Sequence, residues 1–263
     1  MNVKHLLCLI LLLILITTGC SPSASRPEPR TLNVFAAASL TEAFTEIGRN
    51  FETANQGVTV TLNFAGSQAL QTQIEEGAPA DVFASANKTE MESLISGGFV
   101  APDAAQIFLQ NRLVVILPAE NANGLEKLED LARSGVKLLL AAEEVPVGRY
   151  TRQSLDLMND QFGIDFKDRV LANVVSNEDN VRQVVAKVQL GEADAGIVYT
   201  SDAVAAPELN RIEIPAELNV LAEYPIAPLT QSANMELGAA FIEYVLSAEG
   251  QAVLQKRGFA PVE

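Results

Sequence analysis

The sequence predicts an α/β protein of two lobes, and three observations carry that prediction. From Thr31 onward, short apolar runs alternate with stretches of helical spacing, the pattern of strands joined through helices. The chain has 263 residues, and roughly 240 remain once a leader is set aside, which suits one or two domains. Several strand ends hand over to helix starts through Ser, Gly or Tyr, as expected where a crevice opens between lobes.

The first segment stands apart from the fold. Met1 to His5 contains one Lys, Leu6 to Ile16 is almost purely Leu and Ile, and Thr17-Thr18-Gly19-Cys20 follows. A short cationic start, an apolar run of roughly ten residues and a small-residue site describe a secretory signal. The run is shorter than the about 20 residues a membrane span needs. Gly19-Cys20 resembles a bacterial lipobox, with Thr17 standing where Leu is commoner. The expectation is that residues 1–19 are removed and Cys20 is lipidated. Residues 20–30, rich in Pro and Ser, read as an extended tether.

The elements then follow in order. Leu32 to Phe35 reads as a buried strand, and Leu40, Ala43, Phe44, Ile47 and Phe51 keep helical spacing. Val58 to Phe64 alternates as a strand does, and a short helix follows, ending at Gly77. Val82 to Ala84, Leu113 to Leu117 and Lys137 to Ala142 are further strands. A helix is expected from about Gly148 to Phe162, and a strand over Val170 to Val175. Val181, Val184, Val185 and Val188 form one helix face. Ala195 to Tyr199 and Val220 to Tyr224 are strands, and Met235 to Lys256 is helical with a break near Ser247. The strand–helix alternation argues for mostly parallel sheet.

Composition removes several classes of function. Cys8 leaves with the leader and Cys20 is the expected lipid site, so no disulfide framework is possible. The only His is His5, also in the leader. This excludes imidazole metal sites and Ser-His or Cys-His nucleophiles from the exported part. The net charge of −15 argues against the basic face that nucleic acid requires. It does not exclude an anion inside a cleft, where oriented dipoles act locally and distant charge is screened over about 10 Å.

Four segments offer seats for such an anion. Ser39 to Glu42 has a capping-box pattern after three alanines. Gly66-Ser67 follows a strand and opens a short helix. Val145-Pro146-Val147-Gly148 turns into a helix whose first amides are free. Tyr199 ends a buried strand. Each has a plainer reading, the first two as ordinary N-caps and the last as a core tyrosine. Together they describe a site built of helix N-termini and hydroxyls, which holds a dianion without Lys or Arg.

At these residues the sequence resembles the periplasmic molybdate-binding protein family. The similarity runs through Val34-Phe35-Ala36-Ala37-Ala38-Ser39-Leu40, Phe64-Ala65-Gly66-Ser67, Gly77-Ala78-Pro79-Ala80-Asp81-Val82-Phe83, Val145 to Tyr150, Asp179-Asn180-Val181-Arg182 and Gly196 to Asp202. It covers nearly all of Leu32 to Pro261. The resemblance implies a type II-like periplasmic-binding-protein fold, with the ligand cleft between lobes formed by residues 31–111 plus 222–263 and by residues 112–221. It implies that Ser39 and Ser67 donate hydroxyl and backbone N–H groups, Val147 and Val181 backbone N–H groups, and Tyr199 its phenol. The metal would be held only through its oxygens. The family often has Ala where Val147 stands, so two more methyl groups enter the cleft here. The implied function is capture of molybdate or tungstate outside the cytoplasmic membrane by a monomer that needs no cofactor, touches the membrane through its lipid alone and hands the anion to the permease of an ABC importer.

Other readings stand beside this one. A sulfate or phosphate carrier of the same two-lobe shape is the runner-up. A passive surface lipoprotein lacks a reason for donor-rich strand ends. Catalysis has little support, because Ser39 and Ser67 lack a His, and Lys88 and Lys127 lie in no motif.

Overall fold

The computed structural model describes residues 30–262. The expected leader, Cys20 and the tether up to residue 29 lie outside the described residues. Arg30, read as the end of the tether, instead opens the first strand and pairs with Val58.

Two five-stranded sheets form the frame. The first contains β1 (Arg30–Ala37), β2 (Val58–Ala65), β3 (Val82–Ala84), β4 (Gln106–Asn111) and β10 (Ala222–Pro228), in the order β2-β1-β3-β10-β4. The second contains β5 (Leu113–Leu117), β6 (Leu138–Ala141), β7 (Val174–Glu178), β8 (Ala195–Tyr199) and β9 (Asn210–Glu213), in the order β7-β6-β8-β5-β9. The two orders are the same pattern used twice.

The expected mostly parallel sheet is corrected to a mixed one. In each sheet three strands run parallel, and the fourth runs antiparallel to both its neighbours. The reversed strand is the one that arrives from the other sheet. Only Arg112 separates β4 from β5, so the chain passes straight through, with no crossover helix to restore its direction. The way back runs through residues 214–221 into β10. Asn219 ties the two crossings together: its Oδ1 accepts from Leu113 N at 2.9 Å and its Nδ2 donates to Leu113 O at 2.8 Å.

Strands β3, β5, β6 and β8 are buried on both faces, which is why they read as apolar runs rather than alternating ones. Val34, Ala36, Val82 and Ala84 face one core cluster, while Phe35 and Phe83 point to a second on the opposite face. Helix α1 (Thr41–Ala54) buries Phe44, Ile47 and Phe51. Phe44 meets Phe108 of β4 and Phe241 of α8 (Met235–Leu246) edge-on at 5.9 and 6.0 Å, contacts worth about 1 kcal/mol each beyond area burial. The break near Ser247 is present, since Ser247 Oγ accepts from Gly250 N and caps α9 (Ala248–Lys256). The first sheet also carries α2 (Ser67–Glu75) and α3 (Lys88–Ser96). The second carries α4 (Pro146–Phe162), α5 (Phe166–Ala172), α6 (Val181–Gln189) and α7 (Thr200–Ala205).

Two further boundaries are corrected. Val170 to Val175 is not one strand: Val170 belongs to α5, where Phe166 and Val170 bury one helical face. Asn173 then turns the chain, its Nδ2 held by Leu131 O and Arg133 O at 2.8 Å each, and β7 begins at Val174. The strand expected over Val220 to Tyr224 starts at Ala222 and runs on to Pro228, with a register shift between Tyr224 and Pro225. Proline lacks the N–H a regular ladder uses, so a bulge there is expected.

Candidate functional site

All five residues singled out from the sequence line one small cavity between the two sheets: Ser39, Ser67, Val147, Val181 and Tyr199. Ser39 and Ser67 come from the first sheet, at the ends of β1 and β2. Val147 and Val181 open α4 and α6, and Tyr199 ends β8, all on the second sheet. The cavity is tight: about 10 Å³ is open to the centre of a water-sized sphere, close to the least a buried water needs. Lys, Arg, Asp and Glu are all absent from the lining.

Ser39 does not cap a helix. It lies inside a 3-10 turn, Ala38–Leu40, while the N-cap of α1 is Leu40 with no side-chain bond. The buried Ser39 hydroxyl instead meets Tyr224 Oη at 3.0 Å. Ser67 is likewise not a cap, since Gly66 holds that position. Its Oγ accepts from Ala86 N at 3.0 Å, which leaves the hydroxyl hydrogen free to donate. The capping readings of both serines are therefore overturned, and both hydroxyls lie at the cavity.

On the other wall, Pro146 occupies the first position of α4, where the missing N–H costs nothing. The N–H groups of Val147 and Gly148 follow, and neither has a protein acceptor among the described residues. Asn180 caps α6, its Oδ1 accepting from Gln183 N at 3.2 Å, while Gln183 Oε1 accepts from Asp179 N at 3.2 Å. This reciprocal pair leaves the Val181 N–H free. The Val147 side chain is 1% exposed and belongs to the core cluster, so it packs into the second sheet's core while its N–H stays free.

Tyr199 is buried, and its hydroxyl makes no well-formed hydrogen bond among the described residues, with the Tyr224 phenol beside it. A buried orphan hydroxyl costs about 1–3 kcal/mol, so its position at the cavity asks for an acceptor there. Burial, with the neighbouring Tyr224 and Tyr150 phenols, holds Tyr199 well above the usual phenol range, so it remains a donor. Asp202, three residues on, accepts from Tyr199 N at 3.1 Å, and its second oxygen is unpaired. Burial pushes that carboxyl up to about 7.

Contacts across the gap flank the cavity. Arg182 Nη2 meets Glu42 Oε1 at 2.7 Å, and Arg149 Nη1 meets Glu90 Oε1 at 3.3 Å. Gln68 Nε2 donates to Asp179 O at 3.1 Å. Gly66 has ordinary backbone angles, but a Cβ there would lie 2.6 Å from Asp179 O, so closeness of the opposite wall accounts for the glycine. The sequence reading missed Ala86, Tyr224 and Asp202. Small residues after the apolar run of β3 are the only signal for Ala86; Asp202 stands in the quoted Gly196 to Asp202 segment at capping-box spacing from Tyr199, and Tyr224 gives no signal.

A site built only of donors, in a cavity of this size, suits a small anion that offers acceptors alone. Comparison with known proteins places the chain in a family. The family model described as bacterial extracellular solute-binding protein matches residues 32–260. A molybdate-binding protein, ModA, of Mycobacterium tuberculosis is 38% identical over 241 residues, covering 91% of this chain and 88% of that protein. A putative ABC transporter substrate-binding lipoprotein, YvgL, of Bacillus subtilis is 32% identical over 249 residues, 93% of each. Among solved structures, the substrate binding domain of a putative molybdenum ABC transporter from Clostridium difficile aligns with a TM-score of 0.67 and 32% identity, over 89% of this chain and all of that one. With residues 32–260 matched and 38% identity to a relative across most of its length, this chain belongs to the bacterial extracellular solute-binding protein family.

Proposed function

We propose that this protein captures a small, fully deprotonated tetrahedral oxyanion, molybdate first and tungstate with it, and delivers it to an ABC importer. The observation that carries the reading is the Tyr199 hydroxyl, buried without a partner in a wall of free donors. Five donor residues from two sheets supply hydroxyl and backbone N–H groups, so negative charge is spread over neutral dipoles. The relatives named for molybdate support the choice of anion. The cavity has no room for an organic group attached to the anion, which weighs against phosphorylated sugars or acids.

On this reading the two sheets mark two lobes, residues 31–111 with 222–263 and residues 112–221, that part at the crossings to admit the ligand. The chain acts as a monomeric binder rather than a catalyst. Cys20 carries a lipid after removal of residues 1–19, and the protein works outside the cytoplasmic membrane. Among the described residues no helix is long and apolar enough to cross a membrane.

The donor-only wall sets the selectivity. Phosphate near neutral pH keeps a proton that needs an acceptor, and facing it with donors costs about 1–3 kcal/mol. Sulfate carries no proton but is smaller, so it reaches donors on both walls less well. Titration calorimetry at pH 7 should rank molybdate and tungstate together, sulfate well below and phosphate last. Phosphate or sulfate binding as tightly as molybdate overturns the assignment.

A further inference from the structure

Ser39 has a single hydroxyl hydrogen, and the site asks two things of it. As a ligand donor it must point that hydrogen into the cavity. Yet its oxygen lies 3.0 Å from Tyr224 Oη, in a bond that either hydroxyl can donate. Once an oxyanion occupies the cavity, Ser39 donates to it, and only Tyr224 can then donate in the Ser39–Tyr224 bond. Tyr224 is fully buried on β10, the strand that returns from the second sheet. Its ring meets that of Tyr199 edge-on at 5.8 Å, and Phe259 supports its other side at 5.9 Å. The register shift directly after it, at Pro225, lies on the same strand. One side chain thus touches a donor from each wall.

We propose that Tyr224 is the positioning residue of this site: its phenol donates to Ser39 Oγ, which turns the Ser39 hydrogen onto the bound oxyanion, and its ring braces Tyr199. The inference rests on the oxyanion reading above. A donating phenol also polarises the Ser39 hydroxyl and strengthens its bond to the anion. Burial holds Tyr224 far above the usual phenol range, so its proton is present across the working pH range.

The test is a double-mutant cycle read by calorimetry with sodium molybdate. Tyr224→Phe keeps the ring and removes the hydroxyl, and should weaken binding about 5- to 10-fold. Ser39→Ala should weaken it about 10-fold or more, and the double variant should match Ser39→Ala within about twofold, because the phenol acts through Ser39. Ligand-free melting temperatures should stay close to the parent's. Losses that multiply in the double variant, or a Tyr224→Phe protein that binds like the parent, overturn the inference while leaving the oxyanion reading intact. A parent that binds no molybdate overturns both. A second measurement does not depend on the stability of Tyr224→Phe. The chain has no Trp and four Tyr, so near-ultraviolet absorption reports the phenols. At saturating molybdate a tyrosine difference spectrum should survive Tyr199→Phe, which keeps Tyr224, and vanish when Ser39→Ala is added to Tyr199→Phe; its absence in Tyr199→Phe contradicts the proposal.

Discussion

Replacing Arg149 with Met tests whether the cavity depends on closure. Arg149 stands on α4, two residues after Val147, and reaches across to Glu90 on α3 of the other sheet. The Glu90 side chain is 4% exposed, and burial raises its carboxyl above the usual range despite Arg149. Both Arg149 Nη atoms donate to the same oxygen, Oε1, at 3.3 and 3.4 Å, and Oε2 has no partner. Removing one partner of a fully buried pair costs about 3–5 kcal/mol. The long bonds, the 31% exposure of Arg149 and protonation of Glu90 as an escape reduce this to about 1–2 kcal/mol. On the proposed parting of the lobes, the pair forms only when the two walls meet, so the loss falls on the closed state. Arg149→Met should weaken molybdate binding roughly 5- to 30-fold, mostly through faster release. Adding Glu90→Gln should recover much of that loss, because no buried charge is left uncompensated. Calorimetry with stopped-flow release measures both quantities. Parent-like affinity in Arg149→Met, or a double variant as weak as the single, refutes the reasoning.

Tyr199→Phe should weaken binding by about 1.5–3 kcal/mol, roughly 10- to 100-fold. The ligand-free variant should melt no earlier than the parent, because the lost hydroxyl had no partner; an early melt with unchanged affinity contradicts the assigned role. Asp202 gives a pH signature: with its carboxyl pushed up from 3.8 to about 7, the folded protein binds more protons than the unfolded chain between those values. Its contribution to stability is therefore complete below about 4, falls as pH rises toward 7 and is flat above, by about 4 kcal/mol at most. Urea melts at pH 5 and pH 8 should show that Asp202→Asn, which keeps an acceptor for Tyr199 N, lacks this fall; the same pH dependence in both proteins contradicts it. Cys20→Ser should move the protein from membrane to soluble fractions, and a variant that stays membrane-bound implies another anchor.

Elements buried on both faces were legible where burial writes itself as an apolar run, and β4, Gln106–Asn111, was not, because Gln110 and Asn111 interrupt its buried stretch. Leu113 to Leu117 and Ala195 to Tyr199 coincide with β5 and β8. Helix faces such as Val181 to Val188 were equally plain. Exposed or short pieces were not: β9, Asn210–Glu213, is an edge strand with little buried surface, and α3 and α7 carry mixed faces. Strand direction was misread because it depends on how the chain crosses between sheets, which no local pattern records. The cavity residues were legible through small and hydroxyl residues at strand ends, though the two serines were read as plausible caps and neither is one. Tyr224 gave no signal, because a buried phenol behind a site differs from a core residue only in what it touches in space.

The central claim is that an oxyanion sits among Ser39, Ser67, Val147, Val181 and Tyr199. A crystal of the protein grown with molybdate, measured at the molybdenum absorption edge, locates the metal directly. One strong anomalous peak is expected inside this cavity, with oxygens in hydrogen-bond reach of the Tyr199 and Ser67 hydroxyls and the Val147 and Val181 N–H groups. A peak elsewhere on the molecule, or none at saturating molybdate with the cavity closed, contradicts it.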